Sequence, residues 1–326
     1  MESTMNEKKE ALEVIKKTVH WEAPQIPEDI QHGDMPGDKI SIGEEHIAKS
    51  KVIFPELLKQ LIPVLEENRK AVLTVCGGSG VGKSEIASLL SYYLQEIGIG
   101  SYTLSGDNYP HKIPKYNDVE RLHVFRESAL RGMIKEHAYT GERFEMIRKF
   151  QEEGDDANSD HIKEYEWYDS YLRNGKEGLR QYLGSSREIG FDDLTSIIQS
   201  FKSGEEQIWL KRMGRTETEL WFEQVDFSNI QILIIEWTHG NSDHYKGVDI
   251  PILLNSTPQE TLAHRRARNR DGATDSPFTA AVLEIEQEML RAQAHKAKII
   301  LSKSGRLLSY EQYCRLMEES ENGSNE

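Results

Sequence analysis

Residues 71–84 read AVLTVCGGSGVGKS. The first six are apolar or small, as in a strand that is covered on both faces. The last eight match the pattern G-x-x-x-x-G-K-[ST], and the residues after them place apolar side chains at helical spacing. A strand, a glycine-rich turn and a helix in this order predict a loop whose backbone N–H groups surround a polyphosphate. The loop is expected to consist of Gly77, Gly78, Ser79, Gly80, Val81, Gly82, Lys83 and Ser84.

Two residues of this loop carry its charge chemistry. Lys83 is expected to reach the β- and γ-phosphates of a nucleotide, and Ser84 to ligate Mg²⁺. A second magnesium contact is predicted at Glu236, which ends the apolar stretch 230–236 (IQILIIE). A carboxylate after four apolar residues is costly to place unless it has a partner. The alternative is a solvated carboxylate at the end of a strand.

Strands and helices alternate along most of the remaining chain. Further strands are predicted at 101–104, 250–255 and 298–301, and helices begin at the capping box Thr257–Glu260 and at Ser276–Pro277. This alternation predicts an α/β protein of the P-loop NTPase fold, with a mostly parallel sheet flanked by helices. In such sheets ligands bind beyond the carboxyl ends of the strands.

The domain organisation is predicted from breaks in these patterns. Residues 1–68 are expected to form an N-terminal helical leader, and 69–326 the P-loop domain. A helical insertion is expected at about 110–190, with helices near 118–137, 143–153 and 159–173. Its aromatic residues either shape a pocket or pack on the core, and packing is the favoured interpretation. They are Tyr165, Trp167, Tyr168 and Tyr171.

Asp107 follows the second predicted strand in the tripeptide GDN. It is expected to lie across the phosphate site from Lys83, where a carboxylate can take the proton of an attacking hydroxyl. The alternative is a turn residue whose carboxylate hydrogen-bonds the local backbone.

Four arginines crowd the end of the helix that begins at Thr257. Their density predicts a lid over the phosphates, at about 264–277, that steadies the transferring charge. The alternative is a basic helix end that is stabilised by the helix dipole. Arg266 and Arg270 are the predicted catalytic members, and Arg265 and Arg268 the predicted nucleotide-binding members.

The net charge, the cysteine count and the length of the apolar runs indicate which partners and which compartment to expect. The net charge of −15 argues against a general binder of nucleic acid or of anionic membranes. Two cysteines without a CxxC motif argue against a zinc site and favour a reducing compartment. No apolar run is long enough to span a membrane, so we expect a cytoplasmic protein. The sequence leaves the oligomeric state open, a homo-oligomer included.

Taken together, four stretches resemble the uridine kinase and phosphoribulokinase group, to which a bacterial pantothenate kinase also belongs. They are GGSGVGKS, GDN, IIEWTHG and ILLNSTPQETLAHRRARNRD. The likeness covers roughly 71–110 and 190–302. It implies a kinase that uses ATP and Mg²⁺ to phosphorylate a hydroxyl of a small metabolite. From the net charge, we expect neither nucleic acid nor a membrane as partner.

Residue by residue, the resemblance implies the same roles for the loop, Asp107 and Glu236, and it implies lid arginines. It also implies that 191–204 is similar to the acceptor-side helix and that Arg215 contacts the acceptor. Trp237 departs from the pattern, because the group usually has glycine there, and the insertion is longer than in uridine kinases.

These departures leave the acceptor open. The GDN tripeptide is also similar to that of adenylylsulfate kinases, which are the alternative within the class. From a different class, the chain could be an NTP-driven switch or assembly factor without a small-molecule acceptor.

Overall fold

The computed structural model describes residues 12–17, 21–27, 29–67, 70–268 and 276–323. The strands are β1 (Ala71–Gly77), β2 (Ser101–Ser105), β3 (Gln207–Met213), β4 (Leu220–Asp226), β5 (Ile232–Glu236), β6 (Ile250–Leu254), β7 (Ile299–Leu301) and β8 (Leu307–Leu308). The helices are α1 (Glu44–Glu67), α2 (Lys83–Glu96), α3 (Pro114–Lys135), α4 (Gly141–Glu153), α5 (His161–Glu164), α6 (Tyr168–Tyr182), α7 (Phe191–Ser203), α8 (Pro258–Arg268), α9 (Pro277–Gln293) and α10 (Tyr310–Gly323).

The main sheet has the strand order β2-β5-β1-β6-β7-β8. All neighbouring pairs are parallel except β7 and β8. The predicted α/β fold, with a mostly parallel sheet flanked by helices, is confirmed. Because β1 is central and every residue in it is buried, it follows the predicted pattern of a continuous apolar strand.

Helices cover both faces of this sheet. On one face, α1 and α2 bury Leu57 and Leu90 against Leu73 of β1. On the other face, α7 buries Leu194 and Phe201 in a second apolar cluster with side chains of β1, β2 and β5. Full burial of each such side chain stabilises the fold by about 1.5–3 kcal/mol.

The predicted starts of two later helices are confirmed in atomic detail. Thr257 N donates to Glu260 Oε2 at 2.7 Å, and Glu260 N donates to Thr257 Oγ1 at 3.3 Å, which is a reciprocal capping box. Ser276 Oγ caps α9 by accepting from Thr279 N, and Pro277 follows as its first residue.

The insertion is helical, as predicted, but its boundaries differ. Helix α3 already begins at Pro114, and the helix predicted at 159–173 is broken between α5 and α6. Close packing of α3 against α6 depends on small residues, since a Cβ on Gly178 would lie 2.0 Å from Ser128 Oγ. Tyr168 and Tyr171 are fully buried between these helices, which agrees with the packing interpretation.

The sequence patterns gave no indication of the antiparallel hairpin of β3 and β4. Alternation is present in the first half of β3, where Ile208 and Leu210 are buried and Trp209 between them is exposed. Charged residues in both strands mask this alternation. The hairpin brings Arg212, which is almost completely buried, to the edge of the site.

The described part of the leader packs on the sheet domain. The ring of Trp21 lies 4.6 Å from that of Phe54 in α1 and 4.9 Å from that of Tyr93 in α2. Among the described residues, no helix is long and apolar enough to cross a membrane.

Candidate active site

The glycine-rich loop lies between the end of β1 and the start of α2. Gly80 and Gly82 adopt φ angles of 77° and 96°, which residues with a side chain rarely adopt. The loop is also tightly enclosed. A Cβ on Gly80 would lie 3.0 Å from Arg265 Cγ, and one on Gly82 would lie 2.9 Å from the ring of His46. The loop therefore follows its tight path with glycine at these two positions.

Lys83 and Ser84 open helix α2 at this loop, where the helix N-terminus favours negative charge. Lys83 Nζ donates to the carbonyl of Gly78 at 3.0 Å, so the ammonium lies over the loop itself. Ser84 Oγ points away from it and donates to Glu236 Oε2 at 3.2 Å.

Glu236 ends β5 in register with Val75 of β1 and Ser105 of β2, so it lies between the two strands that carry the other site residues. Its Oε1 accepts from Ser105 Oγ at 2.7 Å. Burial, and then the nearby charge of Asp107, raise the pKa of Glu236 to about 8. The solvated alternative for Glu236 does not apply, because only 5% of the residue is exposed.

These two residues fit a magnesium ion. Adjacent ligands of an octahedral Mg²⁺ lie about 3 Å apart, which matches the separation of Ser84 Oγ and Glu236 Oε2. In the described part of the chain, no group of three or more His, Cys, Asp or Glu could hold a metal ion. The remaining ligands of an ion here would be water and phosphate oxygens, as is usual for Mg²⁺.

Asp107 is exposed in a single 3₁₀ turn, Gly106–Asn108, directly after β2. Two strand spacings, or about 10 Å, separate β2 from β1, and Glu236 lies between them. A Cβ on Gly106 would lie 2.1 Å from Trp237 Cγ, so Trp237 packs directly against this turn. Asp107 therefore lies across Glu236 from the glycine-rich loop.

Asp34, which the sequence did not single out, fixes this turn. Its Oδ1 accepts from Ser105 N at 2.7 Å and from Asn108 Nδ2 at 3.1 Å. Its Oδ2 accepts from Tyr102 Oη at 2.9 Å and from Arg212 Nη1 at 2.8 Å. One buried carboxylate thus joins the leader, β2, the turn and the hairpin.

The leader also reaches the metal position. A Cβ on Gly33 would lie 3.8 Å from Glu236 Oε1. The sequence around Asp34 gives no signal for its role, because an aspartate between Gly33 and Pro36 is ordinary in a loop. Its partners are too far away in sequence to be recognised.

A narrow cleft lies between the loop and helices α8 and α9. Its lining includes Gly78, Ser79, Ser256, Arg265 and Glu286. The Ser256 hydroxyl is buried there and makes no hydrogen bond to the residues that the structure describes. The cleft is adjacent to the glycine-rich loop, because Gly78 and Ser79 form part of its lining.

The predicted lid arginines are only partly covered by the structure. Arg265 is buried and donates to Thr261 Oγ1 at 2.6 Å, beside Gly80 of the loop. Arg266 is exposed. The side chain of Arg268, and Arg270 with most of the predicted lid, lie outside the described residues. Arg215 lies in the turn between β3 and β4 and is exposed.

The central β1, its glycine-rich loop and the acidic residue at the end of β5 define a P-loop NTPase fold. Within that class, the GDN turn opposite the loop makes the chain resemble the uridine kinase and phosphoribulokinase group.

Two curated proteins with significant similarity to the chain are both named as kinases. The chain is 38% identical over 246 residues, or 76% of its length, to the bifunctional alpha-galactosidase/sucrose kinase AgaSK of Mediterraneibacter gnavus. It is 47% identical over 47 residues, or 14% of its length, to an adenylyl-sulfate kinase of Erwinia tasmaniensis. The chain spans only 21% and 23% of the lengths of these two proteins. No protein-family model matches it.

Two solved structures resemble the chain weakly. A proposed fructose transport system kinase from Silicibacter sp. TM1040 superposes with a TM-score of 0.43 and 13% identity, over 78% of this chain and 96% of that one. A possible uridine kinase from Bacillus stearothermophilus superposes with a TM-score of 0.35 and 15% identity. This match covers 75% of this chain and 98% of that one. The assignment of the fold depends on the strand order of this chain and not on these two structures.

Proposed function

We propose that this chain is a kinase that transfers the γ-phosphate of ATP to a hydroxyl of a small molecule, with Mg²⁺ as cofactor. The observation that carries the proposal is the placement of Asp107 across from Lys83, with Glu236 between them. A phosphate cradle alone would serve a switch equally well. A carboxylate on the far side is what an attacking hydroxyl requires.

The residues divide the reaction as follows. Backbone N–H groups of the loop and Lys83 hold the phosphates. Ser84 and Glu236 would hold Mg²⁺, which would supply positive charge next to the phosphate oxygens. Asp107 accepts the proton of the acceptor hydroxyl as its oxygen bonds to the γ-phosphorus, and the bond from phosphorus to the β–γ bridging oxygen breaks, releasing ADP.

The lid remains part of this proposal. Arg265 already lies beside the loop, at the start of the segment that would close over the phosphates. Arg266 and Arg270 are proposed to steady the charge that develops on the transferring phosphoryl group, and Arg268 to contact the nucleotide.

A carbohydrate is the first acceptor to test. The relative that matches 76% of this chain bears the name of a bifunctional alpha-galactosidase/sucrose kinase. The short match to an adenylyl-sulfate kinase supports that activity as a second candidate. Uridine and pantothenate remain candidates through the resemblance.

The test is a panel of acceptors incubated with ATP and Mg²⁺, with ADP release and the phosphorylated product both measured. Sucrose, fructose, uridine, pantothenate and adenylylsulfate cover the candidates. We expect one of them to raise ADP release by orders of magnitude and to yield a stoichiometric phosphate ester. If none does, and a protein partner stimulates hydrolysis instead, the chain is a switch.

A further inference from the structure

The leader approaches the glycine-rich loop at a second place, where His46 of α1 lies against Gly82. A Cβ on Gly82 would lie 2.9 Å from both Cδ2 and Nε2 of this imidazole, so the Cδ2–Nε2 edge of the ring faces the loop. His46 lies outside every stretch that resembles the kinase group. The contact with Gly82 therefore brings to the loop a side chain that no motif includes.

The hydrogen bonding of this ring defines which nitrogen can donate. Nδ1 of His46 accepts from the backbone N–H of Gly43 at 3.1 Å. A neutral imidazole that accepts at Nδ1 carries its proton on Nε2. Nε2 makes no hydrogen bond to any residue in the described ranges, and the residue is only partly buried. His46 thus presents an N–H donor and an aromatic ring beside the loop.

The start of α1 lies on the β7 side of the loop. Glu45 Oε1 accepts from Nζ of Lys303, which follows β7, at 3.1 Å. A Cβ on Gly305 would lie 3.6 Å from Lys49 Cγ, one turn further along α1. In the sheet, β7 is two strands from β1 in one direction and β2 is two strands from β1 in the other. His46 therefore reaches the loop from the side opposite the GDN turn.

The course of the reaction determines which part of a nucleotide lies on that side. In the proposed kinase the γ-phosphate faces Asp107 after β2, because the attacking hydroxyl and the leaving oxygen lie in line with the phosphorus. The nucleoside is attached to the other end of the triphosphate. With the phosphates over the loop that follows β1, the nucleoside extends away from β2, towards β6 and β7. His46 is the aromatic side chain that the structure places beside the loop there.

We propose that His46 binds the nucleoside of the nucleotide, with its ring packed against this group and Nε2–H donating to one of its oxygen or nitrogen atoms. Aromatic packing together with a single directed hydrogen bond is a common way of orienting a small ligand. The inference rests on the proposed kinase function and extends it, because it assigns part of the nucleotide site to the leader.

The experiment measures the affinity of the full chain for two ligands by calorimetry with Mg²⁺ present. One is a non-hydrolysable analogue of ATP, and the other is inorganic tripolyphosphate, which has no nucleoside. His46→Ala should raise the Kd for the ATP analogue about tenfold, because it removes a hydrogen bond and the ring contacts. The Kd for tripolyphosphate should not change. No acceptor is needed, so the result does not depend on which acceptor is phosphorylated.

Two further variants make the result specific. His46→Phe keeps a ring but lacks the Nε2–H donor, so its Kd for the ATP analogue should lie between those of the wild type and His46→Ala. It also provides a second measurement if His46→Ala folds poorly. Lys51→Ala, which changes an exposed residue of the same helix, is the control and should change neither Kd.

The outcomes separate the inference from the proposed function. Equal weakening of both ligands in His46→Ala means that the ring only supports the loop. An unchanged Kd for the ATP analogue in both His46 variants means that the ring does not contact the nucleotide. Either result overturns the inference and leaves the kinase proposal intact. If the wild-type chain binds neither ligand, the proposed function is wrong as well.

Discussion

The two ends of the site are built in different ways. The phosphate end is eight consecutive residues, Gly77–Ser84, between one strand and one helix. The acceptor end joins Asp34, Asn108 and Arg212 through side-chain hydrogen bonds, although more than 70 positions separate the first from the second and more than 100 separate the second from the third. The first end is a local structure, and the second exists only when the whole chain is folded.

This difference has a consequence for mutation. A loop of this kind is proposed to hold phosphates mainly through backbone N–H groups, which side-chain changes do not remove. The acceptor end depends on buried charged side chains, and removing one partner leaves another charge unsatisfied. We therefore expect the phosphate end to lose function at a few positions only, and the acceptor end to be sensitive over a wider set.

The largest effect is expected at Asp107. Asp107→Asn keeps the turn but removes the base, so phosphoryl transfer should fall about 10³-fold while ATP binding survives. Transfer kinetics and calorimetry with an ATP analogue measure the two quantities. Asp160→Asn, which changes an exposed aspartate beside α5 in the insertion, is the control. Near wild-type transfer by Asp107→Asn would reduce Asp107 to a turn residue.

Lys83→Ala tests the local end directly. Loss of the charge that pairs with the β- and γ-phosphates should lower ATP turnover at least about 100-fold. The matched control is Lys59→Ala, an exposed lysine of α1. A folded Lys83→Ala protein with unchanged turnover would disprove the P-loop role, and with it the comparison between the two ends.

Glu236 lies between the phosphate end and the acceptor end of the site, because β5 lies between β1 and β2. Glu236→Gln should raise the Mg²⁺ concentration for half-maximal turnover about tenfold, because an amide cannot ionise when the ion binds, as a carboxyl group can. A Mg²⁺ titration at fixed ATP measures this midpoint. Ser105→Ala, which removes only the hydroxyl that donates to Glu236, should shift it less. The same midpoint in Glu236→Gln and wild type would place Glu236 outside the metal site.

Asp34 tests whether the leader takes part in catalysis. Asp34→Asn weakens four hydrogen bonds around the turn, so kcat should fall several-fold to about tenfold while the KM for ATP stays constant. A purely structural role would lower thermal stability and leave kcat per folded molecule unchanged. Asp29→Asn, an exposed change in the same segment, is the control.

The smallest effect concerns pH. Burial, more than the opposing Glu188, lowers the pKa of His239 from 6.5 to about 4. The unfolded chain therefore takes up this proton first, and stability is lost as pH falls from about 6.5 towards 4. Between pH 6.5 and 5.5 the loss is about 1 kcal/mol, or a few degrees in Tm. His239→Gln should flatten this part of the profile; an unchanged slope would contradict the burial argument.

The sequence predicted those features that depend on neighbouring residues. The loop, the caps at Thr257 and Ser276 and the strand ending in Glu236 all follow from short patterns, and the structure has each of them. The hairpin of β3 and β4 was missed, because its buried positions include Arg212, which disguises the alternation.

The sequence by itself determined that this protein has a P-loop in a parallel α/β sheet, because strand, turn and helix patterns act over a few residues. Only the tertiary structure placed Asp34 under the GDN turn and brought Ser84 next to Glu236. These contacts link segments that are far apart in the chain. Their chemistry arises from burial and proximity, which no single stretch of sequence contains.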